Sequence, residues 1–251
     1  MRRIFWAIIR RLLLFFKKPS MRPSKYIDFD TGQATTAPMD FLNSMSKPWS
    51  DDQKLDLFEC RVDVWTLGAA VAILRQIEQN QPPSIWSHSG YALLIVSCTY
   101  FEMIGKTLNP NSASRNTANE DFNFGFCDVY PKFKPANGIY KDKIPVPTGP
   151  HPPNPDIRDV IEFRDRTRNG LYHLGYTKSG LWIDGAYTED FEKKTVPDPI
   201  NSTLTIDEYR VNPHRVTRTI VDHFPHFVAR VRATPALKNK FIQFFDQFLT
   251  A

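Results

Sequence analysis

The stretch Val160-Ile161-Glu162-Phe163-Arg164-Asp165-Arg166-Thr167-Arg168-Asn169-Gly170-Leu171-Tyr172-His173-Leu174 decides how this chain is read. Val160, Phe163, Thr167, Leu171 and Leu174 recur at spacings of 3, 4, 4 and 3, the period of a helix with one face on a core. Immediately afterwards the period changes. Gly175-Tyr176-Thr177-Lys178-Ser179-Gly180-Leu181-Trp182-Ile183 alternates about a Ser-Gly turn and predicts a β-hairpin. Ser202-Thr203-Leu204-Thr205-Ile206 predicts a third strand.

Helical signals flank this region. Ser50-Asp51-Asp52 is a helix start with acids in the first turn. A long helix then runs through Leu55–Phe58 and Val62–Trp65 to Ile77, and Asn80-Gln81-Pro82-Pro83 stops it. A second helix spans about Gly90 to Leu108 and is nearly all apolar in Tyr91–Val96, so it is expected at the centre. Phe122–Phe126 predicts a short helix. The segment Pro131–Pro155 holds eight prolines, a long loop that delivers the chain to Asp156 and the helix quoted above. Asn212-Pro213 supplies an N-cap and a first-turn proline for helices over His214–Val231 and Pro235–Leu249. There is no internal repeat. The predicted fold is mainly α: a helical bundle with a small antiparallel hairpin or sheet inserted at about 175–210, before the C-terminal helices. Residues 51–251 read as one helical domain behind an extended leader, 21–50.

Composition narrows the function classes. The chain has 251 residues, enough for a sizeable core, and 19 of them are Phe. Cys60, Cys98 and Cys127 lie far apart without metal-ligand spacing, and three is an odd number, so the expectation is a reducing cytoplasm rather than a disulfide framework. The net charge of +5 is misleading as a sign of nucleic acid. Arg2, Arg3, Arg10, Arg11, Lys17 and Lys18 account for six of the 32 basic residues. The other 26 face 27 acids, a net of −1. Any RNA contact must therefore be a local patch.

Those six cations segregate on a helical wheel of residues 2–18 from Ile4, Phe5, Ile8, Ile9, Leu12, Phe15 and Phe16. This is the pattern of a helix lying in an anionic membrane surface, and residues 1–20 are read as a basic amphipathic helix. Arg10 and Arg11 split the apolar run well short of the roughly 20 residues a span needs. Two other readings stand beside it: the helix packs on the protein's own core, or Met21 is the true start. The predicted location is the cytoplasm, with peripheral membrane contact through residues 2–18.

The chemistry-bearing residues lie late in the quoted helix. Arg168 and His173 are five residues apart, hence about 140° apart around an ideal helix, each roughly 110° from the apolar stripe. Neither is needed for core packing by this pattern. Asn169 sits between them. One copy splays the pair apart; two copies packed polar face to polar face would bring both pairs around one pocket.

Arg, Asn, three more residues and His, late in a helix of an α-bundle, resemble the HEPN (higher eukaryotes and prokaryotes nucleotide-binding) superfamily, whose signature is Arg, four to six residues, His. Here the interval is Asn169, Gly170, Leu171 and Tyr172. The resemblance covers roughly residues 51–175. Gly170 inside the helix is a departure, costing about 1 kcal/mol against Ala. The resemblance implies a homodimer with the site at the interface, RNA as substrate, and a role as toxin or anti-phage effector, for which an antitoxin protein would be the partner. The residue types suit metal-free RNA cleavage. RNA carries its own nucleophile, the 2′-hydroxyl. His173 offers an acid or base near neutral pH. Arg168 offers a forked cation for the phosphorane charge. Asn169 would donate to a phosphate oxygen or orient His173. No cofactor or metal is expected. Tyr172 and Glu102 join the candidates as supporting residues. Glu102 is the only acid of the central helix and reads either as a partly exposed helix end or as a partner for a cation.

Other histidines are weaker candidates. His223 and His226, three apart beside Asp222, could ligate a metal, but no third ligand is evident and Pro225 disturbs the helix. His88 and His151 read as solvated loop residues, and His214 as a capping or packing residue. Arg210, Arg215, Arg218, Arg230 and Arg232 form either a basic strip or a solvated face. There is no Gly-rich phosphate loop and no Ser-centred nucleophile elbow. A catalytically silent helical nucleotide- or RNA-binding module, or a membrane-docked interaction module, is the rival to the nuclease.

Overall fold

The computed structural model describes residues 26, 48–79, 89–110, 118–135, 138, 140, 157–174, 180–198 and 200–248. The expectations for residues 1–20, most of the leader and of the Pro-rich segment, the stop at 80–83, the first half of the 175–183 hairpin, His88 and His151 lie outside the described residues. Helix α1, Asp51–Arg61, starts where the sequence signals it. Ser50 accepts from the Gln53 amide, and the Gln53 side chain accepts from the Ser50 amide, a reciprocal capping box.

The long helix predicted to Ile77 is interrupted. Residues Val62–Leu67 form a π-helical turn, and α2 follows over Gly68–Gln79. The reason is the spacing of the core residues. Leu55, Phe58 and Val62 are buried, then Leu67, Val71 and Leu74. The step from Val62 to Leu67 is five residues, where an α-helix allows three or four. An unbroken α-helix would rotate the two stripes apart by about 140°. One wider turn absorbs the extra residue and keeps both on the core.

Helix α3, Ser89–Leu108, is the central element, with ten of its residues buried. Helix α4, Ala118–Val129, extends the short helix predicted around Phe122. The two backbones nearly touch. A Cβ on Gly105 would collide with the Asp121 carbonyl, and one on Gly125 with the Phe101 carbonyl. Phe126 is a hub of the aromatic core: its ring lies 5.2 Å from Phe101, 5.5 Å from Phe163 and 5.2 Å from Phe191. Each such pair adds roughly 0.5–1.5 kcal/mol beyond area burial. Helix α5, Ile157–Leu174, is the helix quoted at the outset. Val160, Phe163 and Thr167 are buried as the stripe requires, joined by Ile157.

The sheet is inserted where expected, but its pairing differs. Strands β1 (Leu181–Ile183), β2 (Phe191–Pro197) and β3 (Thr205–Val211) have the order β1-β3-β2. β1 pairs with β3 in parallel, Leu181 opposite Tyr209, so the sheet is mixed rather than purely antiparallel, and the predicted hairpin about Ser179-Gly180 is not how Leu181–Ile183 is paired. The hairpin is β2–β3, Phe191 opposite Val211 and Pro197 opposite Thr205. The predicted third strand over 202–206 shifts toward 205–211 because Asp198 and residues 200–204 form a turn. Asp198 accepts from the Ile200 and Asn201 amides, and Asn201 from the Thr203 amide. Helices α6, Pro213–Ala233, and α7, Pro235–Phe248, complete the bundle. Asn212 caps α6 by accepting from the His214 and Arg215 amides, with Pro213 in the first turn as predicted. Among the described residues no helix is long and apolar enough to cross a membrane.

Candidate functional site

Helix α5 carries Arg164, Arg166 and Arg168 two residues apart. Successive ones are rotated by about 200°, so they reach different neighbours. Arg164, buried, donates to the Asn119 carbonyl and to Asn123 Oδ1 of α4. Arg166 donates to the Gly180 and Asp207 carbonyls at 3.1 and 2.8 Å, tying the helix to the sheet. The same side of the sheet adds Tyr209, whose hydroxyl donates to Asp159 at 3.2 Å and Glu162 at 3.1 Å, and Lys193, 2.6 Å from Asp159. Burial first, then the Glu162 and Asp159 charges, push the Tyr209 hydroxyl well above the usual range.

Arg168 reaches α3. Its Nε donates to Glu102 Oε1 at 2.6 Å, and the two side chains are only 19% and 18% exposed. Beside them lies Cys98, which hydrogen-bonds Thr167 and feels both charges. Burial, reinforced by Glu102, pushes the Cys98 thiol up to about 12. Thr167 returns its own hydroxyl to the Phe163 carbonyl. Although its position about 110° from the apolar stripe leaves Arg168 out of the core pattern, the side chain is not left in solvent. The guanidinium is tucked against the central helix, because Glu102 interrupts that helix's apolar surface at the crossing and supplies a charge-assisted acceptor. Of the two sequence readings of Glu102, the structure matches the one that makes it a partner for a cation.

Asn169, Gly170, Leu171, Tyr172 and His173 follow in the same helix, and their side chains lie outside the described residues. The helix backbone places the His173 Cα about 7.5 Å beyond that of Arg168 and about 140° around the axis.

The structure draws together a second group that sequence reasoning missed. His223 of α6 has Nδ1 2.8 Å from the Tyr100 hydroxyl of α3 and Nε2 3.2 Å from Asp128 Oδ2 of α4. Arg230, two turns further along the same face of the helix, also donates to Asp128 Oδ2. Burial opposes ionisation of Asp128, but the hydrogen bonds from His223 and Arg230 outweigh it and hold its carboxyl below the usual range. An ionised Asp128 can only accept, so a neutral His223 carries its proton on Nε2 and accepts from Tyr100 at Nδ1. The candidate metal pair is thus divided: His223 is 87% buried and committed to this network, while His226 and Asp222 are exposed. Among the described residues no three His, Cys, Asp or Glu side chains cluster to hold a metal. No sequence signal links these residues; Tyr100 and His223 alone stand 123 positions apart.

The arginines of the C-terminal strip are largely compensated. Arg215 meets Asp190, Arg230 meets Asp128, and Arg232 meets Asp56 and Glu59. This matches a solvated face better than a basic binding strip. Comparison with family models, with curated proteins and with solved structures finds no match to this chain.

Proposed function

We propose that this protein is a HEPN-like, metal-independent endoribonuclease that works as a homodimer on RNA, with Arg168 and His173 as its catalytic residues and Asn169, Tyr172 and Glu102 in support. The observation that carries the reading is the Glu102–Arg168 contact at 2.6 Å. It binds the guanidinium through Nε, on the stem side of the fork, which fixes where that cation stands relative to α5. A positioned cation is what phosphorane stabilisation needs, since a mobile one would spend free energy on ordering during the reaction.

In the reaction the 2′-hydroxyl attacks the adjacent phosphorus while a base removes its proton. The P–O5′ bond breaks, the leaving oxygen takes a proton, and the products are a 2′,3′-cyclic phosphate and a 5′-hydroxyl. His173 serves as acid or base, and a second copy supplies the other His173. Arg168 neutralises the two equatorial oxygens, with Asn169 as a further donor. Within this reading the cell uses the activity as a toxin or anti-phage effector held by an antitoxin protein, and residues 2–18 bring it to an anionic membrane surface.

The same ion pair also suits a catalytically silent RNA-binding module, and activity separates the two. Incubation of the full chain with RNA should yield fragments ending in 2′,3′-cyclic phosphate. A 2′-deoxy substitution at the cleaved position should block the cut there. Arg168→Lys, which keeps the charge but not the fork, should lower the rate at least tenfold. Unchanged cleavage of the 2′-deoxy substrate would remove the mechanism.

A further inference from the structure

The π-helical turn between α1 and α2 does more than align two core stripes. It buries Asp63 and turns Trp65 outward, where the indole is 60% exposed. Arg61 lies over that ring, its Cζ 6.0 Å from the centroid. From Trp65 the outer face of α2 continues through Ala69, Ala72 and Gln76, all exposed and within about 60° of arc. Ile73 flanks this strip on one side and Arg75 on the other, both partly buried.

Among the described residues the charge on this face is one-sided. Neither Arg61 nor Arg75 meets a carboxylate among the described residues, and the Arg61 Nε is buried without a hydrogen-bond partner. Three acids of α1 are engaged elsewhere: Asp56 and Glu59 hold Arg232 and Asp52 holds Lys238, while Asp63 of the π-helical turn is buried. This contrasts with the C-terminal strip, where Arg215, Arg230 and Arg232 each have an acid. An exposed Trp, an Arg stacked on it that meets no carboxylate among the described residues, and a low apolar strip are the composition of an interface centre rather than of a solvated helix face.

We propose that the face Arg61–Trp65–Ala69–Ala72–Arg75 docks an acidic amphipathic helix of a partner protein. The two cations stand about 20 Å apart along the axis, which a partner helix of about 14 residues spans. Alanines between them let the partner's backbone come close, with Trp65 as the apolar anchor at one end. The partner's apolar stripe covers Ala69, Ala72 and Ile73, and its flanking carboxylates meet Arg61 and Arg75. A nucleic-acid strand fits less well, because the surface between the two cations is aliphatic and offers phosphates no donors.

The test uses the full chain and an 18-residue helical peptide with leucines along one face and glutamates beside them. Ala72→Cys, carrying an environment-sensitive dye, reports occupation of this face, and the native cysteines are all buried. Peptide titration should shift the dye emission, and a peptide with lysines in place of the glutamates should not. Trp65→Ala should weaken binding at least tenfold. Arg61→Gln with Arg75→Gln should weaken it severalfold and flatten its salt dependence. Trp65 and Ala72 are exposed, so these variants keep the fold. Equal response to both peptides, or no effect of Trp65→Ala, overturns the proposal. So does a dye shift with vesicles of 30% phosphatidylserine that Trp65→Ala removes while the acidic peptide gives none, because that outcome makes the face a membrane contact.

Discussion

Replacing Glu102 by Gln removes the charge facing Arg168 and keeps the shape. With an effective dielectric of about 20 and charge centres about 4 Å apart, the attraction before desolvation is about 4 kcal/mol. Exposed pairs contribute about 0–1 kcal/mol net, whereas breaking a buried pair costs about 3–5 kcal/mol. Side chains 19% and 18% exposed stand between those cases. The expected loss is therefore about 1–3 kcal/mol, most of it from leaving the guanidinium desolvated without its acid. For a chain of this size that corresponds to a drop in Tm of about 3–10 °C. The assay is a double-mutant cycle of Glu102→Gln and Arg168→Met, followed by urea unfolding. Each single change should be costly and the double change should cost less than their sum, with a coupling of at least 1 kcal/mol. Additive effects within about 0.3 kcal/mol would refute the claim that Glu102 pins Arg168, and with it the positioning argument for the site.

Other consequences follow from the same structure. Gly105→Ala or Gly125→Ala should cost at least 3 kcal/mol by urea unfolding, because each Cβ meets a backbone carbonyl and α3 and α4 must separate. Asp128 is held below its usual range, so its network contributes stability above the unfolded carboxyl pKa of about 4, and that stability is lost as pH falls through the lower folded value. The urea midpoint of the parent chain should fall more steeply below pH 4 than that of Asp128→Asn; parallel curves would contradict the assignment. Cys98 and Cys127, both pushed up to about 12, should resist maleimide at pH 8 until the chain is unfolded in urea. Full-length protein should pellet with anionic liposomes more weakly in high salt, and a chain starting at Met21 should stay in the supernatant; equal behaviour would remove the membrane role of residues 2–18.

The helices were legible because their signals are local. Ser50, Asn212 and Pro213 mark starts through caps, and the 3,4 spacings over Val160–Thr167 report a buried face directly. The π turn carried a signal of the same kind, the five-residue step from Val62 to Leu67, but one irregular step in a long apolar run is easily absorbed into a continuous helix. β2 was hidden because Phe-Glu-Lys-Lys-Thr-Val-Pro lacks alternation: Lys193 faces inward to Asp159 and Lys194 outward, so two like residues occupy opposite faces. The partner of β1 depended on a parallel pairing across more than 20 residues, which no turn encodes. At the site, the signal for Arg168 was Glu102 itself, a single acid in an apolar helix that needs a cation somewhere. The Tyr100–His223–Asp128–Arg230 network assembles only when α3, α4 and α6 pack.

The most direct measurement is RNA cleavage by the full chain, compared with His173→Ala, in buffer containing EDTA. The account predicts that the parent chain cleaves at an undiminished rate in the chelator and that His173→Ala abolishes cutting while its unfolding curve stays unchanged. Cleavage that survives His173→Ala at full rate, or that disappears in EDTA and returns with added magnesium or zinc, would contradict it.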